Sequence, residues 1–247
     1  MFDLDDTLVH MPKRRGWDEV TRAQAQQLRI APGADVAAGL DLPDFITSFW
    51  STFNLELPEP HDPLAPPFDE LRWSQDEQLM GRMLMERIDP TADHLANAWW
   101  RALFEVPPEV FGRVCFPDTI DTLTTLSDRG FRLGLVTNRL TPVDLVLQEL
   151  EQVGLGEMFE VIVSAGAIGL RKPHPAVFEA ALSSLGVGAR DVLMVGDSLT
   201  LDIEPASRLG MAAALKRNGR KANTRIDQSV FQIDHLDELL CLEFLNG

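Results

Sequence analysis

From Asp118 onward the chain alternates apolar runs of strand length with amphipathic stretches of helical period, and this alternation leaves few folds open. The strand candidates are RLGLVT at 132–137, EVIVS at 160–164, DVLMVG at 191–196 and the weaker AAAL at 212–215 and VFQI at 230–233. Helix candidates lie between and after them, around 119–129, 142–153, 175–185, 199–209 and 235–245. The pattern is that of a parallel sheet covered by helices, an α/β fold.

Residues from about 13 to 112 read differently, with helical patterns, abundant Trp and Met, and no convincing strand. A chain of 247 residues can form one large domain or a core with a smaller insertion, and the second arrangement fits this division. The expected organisation is therefore a core of residues 1–12 and 113–247 interrupted by a helical domain at 13–112. Within the insertion, LPEPHDPLAPPF at 57–68 holds five prolines and is expected to be a loop. A Ser74/Glu77 capping box then opens a helix in which Met80, Met83 and Met85 read as packing residues. Trp99 and Trp100 read as core or lid-interface residues.

Composition narrows the function classes. Hydrophobic residues at 45% and charged residues at 24% fit a soluble globular protein, and no apolar run approaches the ~20 residues of a membrane span. A formal charge of -16 opposes binding to nucleic acid or to an anionic membrane, since both need surfaces rich in Lys and Arg. Cys115 and Cys241 show no metal-binding or disulfide spacing, and Tyr is absent, so acid/base chemistry falls to carboxylate, His or Lys. The strand-like opening leaves no secretory leader, and a cytoplasmic location is the default expectation.

That opening, MFDLDDTLVH, packs three carboxylates into six residues. In an extended strand Asp3, Asp5 and Thr7 start on one side. Two carboxylates ~5 Å apart repel by about 3 kcal/mol at an effective dielectric near 20, so a positive group or a shared proton must lie nearby. A second acidic cluster follows another apolar strand, in VLMVGDSLTLDI, with Asp197 in the turn and Asp202 about a helical turn beyond. If the strands are parallel, their carboxyl ends meet at one edge, where open α/β sheets bind ligands. Oxygen ligands of this kind suit Mg²⁺. Thr137 and Asn138 end a third apolar run, and Lys172 sits in a turn before a helix; hydroxyl, backbone N–H and ammonium donors are what phosphoryl oxygens require.

FDLDDT (2–7), TN (137–138), K (172) and GDSLTLD (196–202), in that order and at strand ends, resemble the four motifs of the haloacid dehalogenase-like (HAD) hydrolases. The resemblance implies a Rossmann-like core with a helical cap and a Mg²⁺-dependent phosphatase mechanism on a small phosphorylated metabolite. It implies Asp3 as the nucleophile and Asp5 as the general acid and base. It implies Mg²⁺ held by Asp3, the main-chain carbonyl of Asp5 and Asp197, with Asp202 either an outer ligand or a partner for Lys172. Thr137, the Asn138 backbone and Lys172 would hold the transferring group. In the dehalogenases of the family the position of Asp5 is a non-acid, so Asp5 favours phosphate esters. Two departures stand out: Glu204 and Pro205 replace a Gly-Ala pair common after the fourth motif, and only Met1 and Phe2 precede Asp3. A central strand of ordinary length, about five or six residues, would need further apolar residues upstream, or this strand is unusually short.

Other readings remain open: a phosphomutase, a 2-haloacid dehalogenase, or a phospho-acceptor regulatory module without turnover. Among the remaining residues, Lys13–Arg15 read as a linker, Arg139 as a substrate contact or an ion pair, and His174 as a neighbour of Lys172. KRNGRKANTR at 216–225 reads as an exposed basic loop. Neither the substrate nor the oligomeric state is legible.

Overall fold

Successive side chains of a strand point to opposite faces, so a continuous apolar run must be covered on both, and β-strand residues 134–137 and 193–196 are buried throughout. The computed structural model describes residues 1–10, 17–56, 77–221, 227, 229–242 and 244. Lys13–Arg15, the proline-rich stretch 57–68 and Ser74 lie outside these residues.

Two short strands, β1 (Val9–His10) and β2 (Val114–Cys115), pair antiparallel where the chain leaves and re-enters the sheet region. Between them run helices α1 (Trp17–Ile30), α2 (Leu42–Glu56), α3 (Glu77–Ile88), α4 (Ala96–Ala102) and α5 (Pro108–Phe111). After them come α6 (Thr119–Asp128), β3 (Gly134–Thr137), α7 (Val143–Gln152), β4 (Val161–Ser164), α8 (Ala165–Ile168) and α9 (Pro175–Leu185). The chain continues through β5 (Leu193–Gly196), α10 (Glu204–Arg208), β6 (Ala212–Lys216) and β7 (Phe231–Ile233). All the strands expected from the apolar runs form, some shorter by a residue or two. The expected last helix is a tighter 3-10 turn over Leu236–Cys241, and 199–209 begins as a π-turn over Leu199–Ile203 before α10.

β3 pairs with β4, β5 with β6 and β6 with β7, all parallel. Residues 1–3 fill the centre. Phe2 bridges both Leu135 and Val195. Its N–H donates to Gly134 O at 2.8 Å and its carbonyl accepts from Val136 N at 2.8 Å, while Asp3 N donates to Val195 O at 2.9 Å. The order is therefore β4, β3, residues 1–3, β5, β6, β7, the doubly wound arrangement of a Rossmann-like sheet. These residues are held by hydrogen bonds from both neighbours.

The two faces separate cleanly. Leu135, Leu193 and Val195 pack with Leu123 and Leu126 of α6 and Val146 and Leu150 of α7. Val136 and Met194 pack on the other face with Val177, Phe178 and Ala181 of α9 and Ala206 of α10. The helices of the 17–111 interval have their own cluster, built on Leu28, Phe49, Met80, Leu84, Met85, Trp99 and Trp100. Trp100 lies 5.8 Å from Trp50 and 5.1 Å from Phe104 between ring centroids. Helices α3 and α4 approach so closely that a Cβ on Gly81 would lie 2.6 Å from the Ala96 carbonyl. The fold is thus an α/β Rossmann-like core carrying a helical cap. Among the described residues no helix is long and apolar enough to cross a membrane.

Candidate active site

Because the sheet is parallel, Asp3, Thr137 and Asp197 emerge at the same carboxyl edge, directly after the residues that pair Phe2 with β3 and β5. Lys172 reaches this edge from the segment between α8 and α9. Its backbone is gripped by Asn138: Lys172 N donates to Asn138 Oδ1 at 2.7 Å, and Asn138 Nδ2 donates to Lys172 O at 3.1 Å. The His174 Nδ1 accepts from Ala176 N at 3.2 Å, with Pro175 in the first turn, so His174 starts α9.

Lys172 Nζ, on a side chain only 2% exposed, donates to Asp3 Oδ1 and to Asp202 Oδ1, each at 2.6 Å. Asp3 also accepts from Thr7 Oγ1 at 3.0 Å, across the turn that follows it. Asp202 stands in the π-turn after β5 and accepts from Ser198 N at 3.0 Å. Space for it exists only because residue 196 is glycine, since a Cβ there would lie 2.5 Å from Asp202 atoms. Asp3, Asp197 and Asp202 each offer an oxygen within 4.8 Å of the others. Lys172 thus serves Asp3 and Asp202 while Arg220 pairs with Asp197, so three carboxylates meet two cations, an all-oxygen donor set with an excess negative charge, which fits Mg²⁺.

Burial governs the electrostatics. It pushes the Asp3 carboxyl above its ordinary value, and Asp202 adds to the rise while Lys172 opposes it. Burial alone would lower the Lys172 ammonium, but Asp202 and Asp3 outweigh it and hold the lysine charged. Burial likewise raises Asp197, partly offset by Arg220, whose Nη2 lies 2.9 Å from Asp197 Oδ2.

Asp5 faces elsewhere. Arg139 Nε donates to its Oδ2 at 2.8 Å and Arg139 Nη2 to its Oδ1 at 2.7 Å, while Arg113 Nε approaches Oδ1 at 3.3 Å. Glu149 completes a quartet, its Oε2 accepting from Arg139 Nη1 at 2.8 Å and from Arg113 Nη1 at 3.1 Å. Desolvation would raise the Asp5 carboxyl, but Arg139 and Arg113 bring it down to about 2.

The site thus gathers Asp3, Lys172, Asp197 and Asp202, with Thr137 and Asn138 on the adjoining strand end, and turns the Asp5 carboxylate into an arginine fork. Of the alternatives for Arg139, the ion pair is the one formed, with buried and half-buried acids. Arg113, Glu149, Thr7 and Arg220 were not singled out as site residues by the sequence. Glu149 carried one signal: it shares the buried stripe of α7 with Val146 and Leu150.

The family model described as haloacid dehalogenase-like hydrolase matches residues 1–210. This chain belongs to the haloacid dehalogenase-like hydrolases. The glyceraldehyde 3-phosphate phosphatase of Methanopyrus kandleri is 37% identical over 129 residues, which are 51% of this chain and 54% of that one. The chain thus spans about half the length of this relative. The glyceraldehyde 3-phosphate phosphatase of Pyrococcus abyssi is 30% identical over 222 residues, covering 89% of this chain and 81% of its own. Among solved structures, a 2-haloacid dehalogenase from Pseudomonas syringae superposes with a TM-score of 0.63 at 22% identity, over 99% of this chain and 96% of that one. At that identity the likeness concerns the fold, which within the HAD hydrolases carries more than one chemistry.

Proposed function

We propose that this HAD hydrolase is a Mg²⁺-dependent phosphomonoesterase that hydrolyses a small phosphorylated metabolite through an aspartyl-phosphate, with residues 13–112 as the cap over the site. The observation that carries the reading is the buried 2.6 Å contact of Lys172 Nζ with Asp3, beside the Asp197 and Asp202 carboxylates. The names of the two relatives support a small phosphate monoester as substrate.

In this reading an Asp3 carboxylate oxygen attacks phosphorus, the ester P–O bond breaks, and Asp5 delivers a proton to the leaving oxygen. Asp5 then takes a proton from the water that attacks the aspartyl-phosphate, releasing inorganic phosphate and restoring Asp3. Lys172, Thr137 Oγ1 and the Asn138 N–H hold the phosphoryl oxygens, and Asn138 also fixes the Lys172 backbone. Asp3, the Asp5 carbonyl and Asp197 would hold Mg²⁺, whose charge offsets the carboxylates and the incoming phosphate. Asp202 serves as the partner of Lys172. Asp5 must leave the Arg139 fork and gain a proton before it can act as an acid. An acid at this position supports phosphate esters over carbon–halogen substrates.

The test is turnover of a panel of phosphorylated sugars, short acids and aldehydes, with Mg²⁺ and with chelator, alongside mass spectrometry of the trapped enzyme. Wild type is expected to turn over a small monoester only with the ion and to carry one phosphate. Asp3→Asn should do neither. Activity that survives Asp3→Asn, or halide release without metal, would overturn the assignment.

A further inference from the structure

Of the basic segment expected to be an exposed loop, Lys216 ends β6, residues 218–221 are exposed, and the turn they form is tethered to its neighbours. Arg217 N donates to Ile233 O at 2.8 Å, and its guanidinium pairs with Asp234. The turn that follows has Asn218 at φ 52° and Gly219 at φ 76°, and closes through Arg220 N to Arg217 O at 3.0 Å. Asn218 Nδ2 ties the turn to the carbonyl of Asp6 at 2.6 Å, and Asp6 is itself left-handed at φ 58° in the turn after the nucleophile. The Arg220 Nε donates to Arg217 O at 2.9 Å, which aims the rest of the guanidinium. Its Nη2 then donates to both the carboxylate Oδ2 of Asp197, at 2.9 Å, and the main-chain carbonyl of the same residue, at 3.0 Å. A single nitrogen shared by the side chain and backbone of one residue fixes the χ angles of Asp197 relative to its own peptide. It occupies one carboxylate oxygen and leaves the other for a cation.

We propose that Arg220 is a positioning residue of the cation site, holding the Asp197 carboxylate in the orientation that brings it to Asp3 and Asp202. The proposal rests on the reading that these carboxylates receive Mg²⁺. Outer hydrogen bonds of this kind orient ligands and typically change metal affinity by about 10–100-fold when removed. The Arg220 side chain is 59% exposed, so its loss removes the orienting bonds without opening a core.

Calorimetric titration with Mg²⁺, and Mn²⁺ titration followed by electron paramagnetic resonance, are applied to wild type, Arg220→Ala, Arg220→Lys and Asn218→Gly. Arg220→Ala is expected to raise the Kd for both ions about tenfold or more with its metal-free melting temperature unchanged. Arg220→Lys should recover part of the affinity. Asn218→Gly keeps the left-handed turn and loses the tether to Asp6, so it should show an intermediate rise. An unchanged Kd in Arg220→Ala overturns the proposal alone, and so does tighter binding, which would make the arginine a competitor of the ion. Failure of wild type to bind either ion overturns the Mg²⁺ reading and this inference with it.

Discussion

Arg139 grips Asp5 along both carboxylate oxygens, through Nε at 2.8 Å and Nη2 at 2.7 Å. The same arginine is held from behind by Glu149, so the fork is preset rather than recruited. A carboxylate bound in this way is ionised across the physiological range.

This pairing predicts an acid limb in stability. The folded Asp5 carboxyl lies at about 2, below its ordinary 3.8, so its contribution is complete above about pH 4 and is lost as pH falls toward 2. The Asp5 side chain is 46% exposed, and with solvent screening the contribution is about 1 kcal/mol or less. Urea denaturation of wild type and Asp5→Asn should show a gap at pH 6 that closes near pH 2; a gap independent of pH would contradict the pairing.

Lys172→Met removes the ammonium between Asp3 and Asp202 and leaves buried acids without their counter-charge. The expected cost is about 3–5 kcal/mol of stability in metal-free protein, measured by chemical denaturation. Turnover of a phosphate monoester should fall by at least about 10²-fold, as expected for the loss of a charge-stabilising donor.

Gly196→Ala places a methyl group where Asp202 stands, 2.5 Å from its side-chain atoms. Asp202 has to move, and its bond to Lys172 moves with it. The expected result is a loss of about 1–3 kcal/mol in denaturation and a parallel drop in turnover. Wild-type behaviour would show that Asp202 does not set the position of Lys172.

Lys216 ends β6 with its ammonium buried against the Phe116 ring, 2.9 Å from the centroid. Burial pushes it down to about 8 from 10.5. The folded state therefore bears a penalty below pH 8 that fades as pH rises toward 10.5. Lys216→Met is expected to raise stability at pH 7 by on the order of 1–3 kcal/mol, with the gain shrinking above pH 10. Thermal melts across that range would check the sign.

The sheet was legible because each apolar run is bounded by its own turn signals, and the motif residues were legible because parallel strands deliver their ends to one edge. The arginine and glutamate around Asp5 were not. Arg113 lies over a hundred residues from Asp5 in sequence, and its role exists only through the β1/β2 pairing that returns the chain beside its start. The basic run at 216–225 was visible as charge, but a linear reading assigns charge to solvent. Only the turn at Asn218 and Gly219 brings Arg220 back onto Asp197. The π-turn at Leu199–Ile203 was hidden because its hydrogen bonds span only one residue more than those of an ordinary helix.

Among the described residues, the insert packs Trp50, Trp99, Trp100, Met80, Met83 and Met85 in its own cluster, which Leu140 joins from the loop after β3, and an exposed pairing of Arg101 with Asp144 links it to α7. With separate apolar interiors, substitutions among the inserted helices leave the packing that holds Asp3, Lys172 and Asp202 untouched, so the two halves of the chain are free to change at different rates.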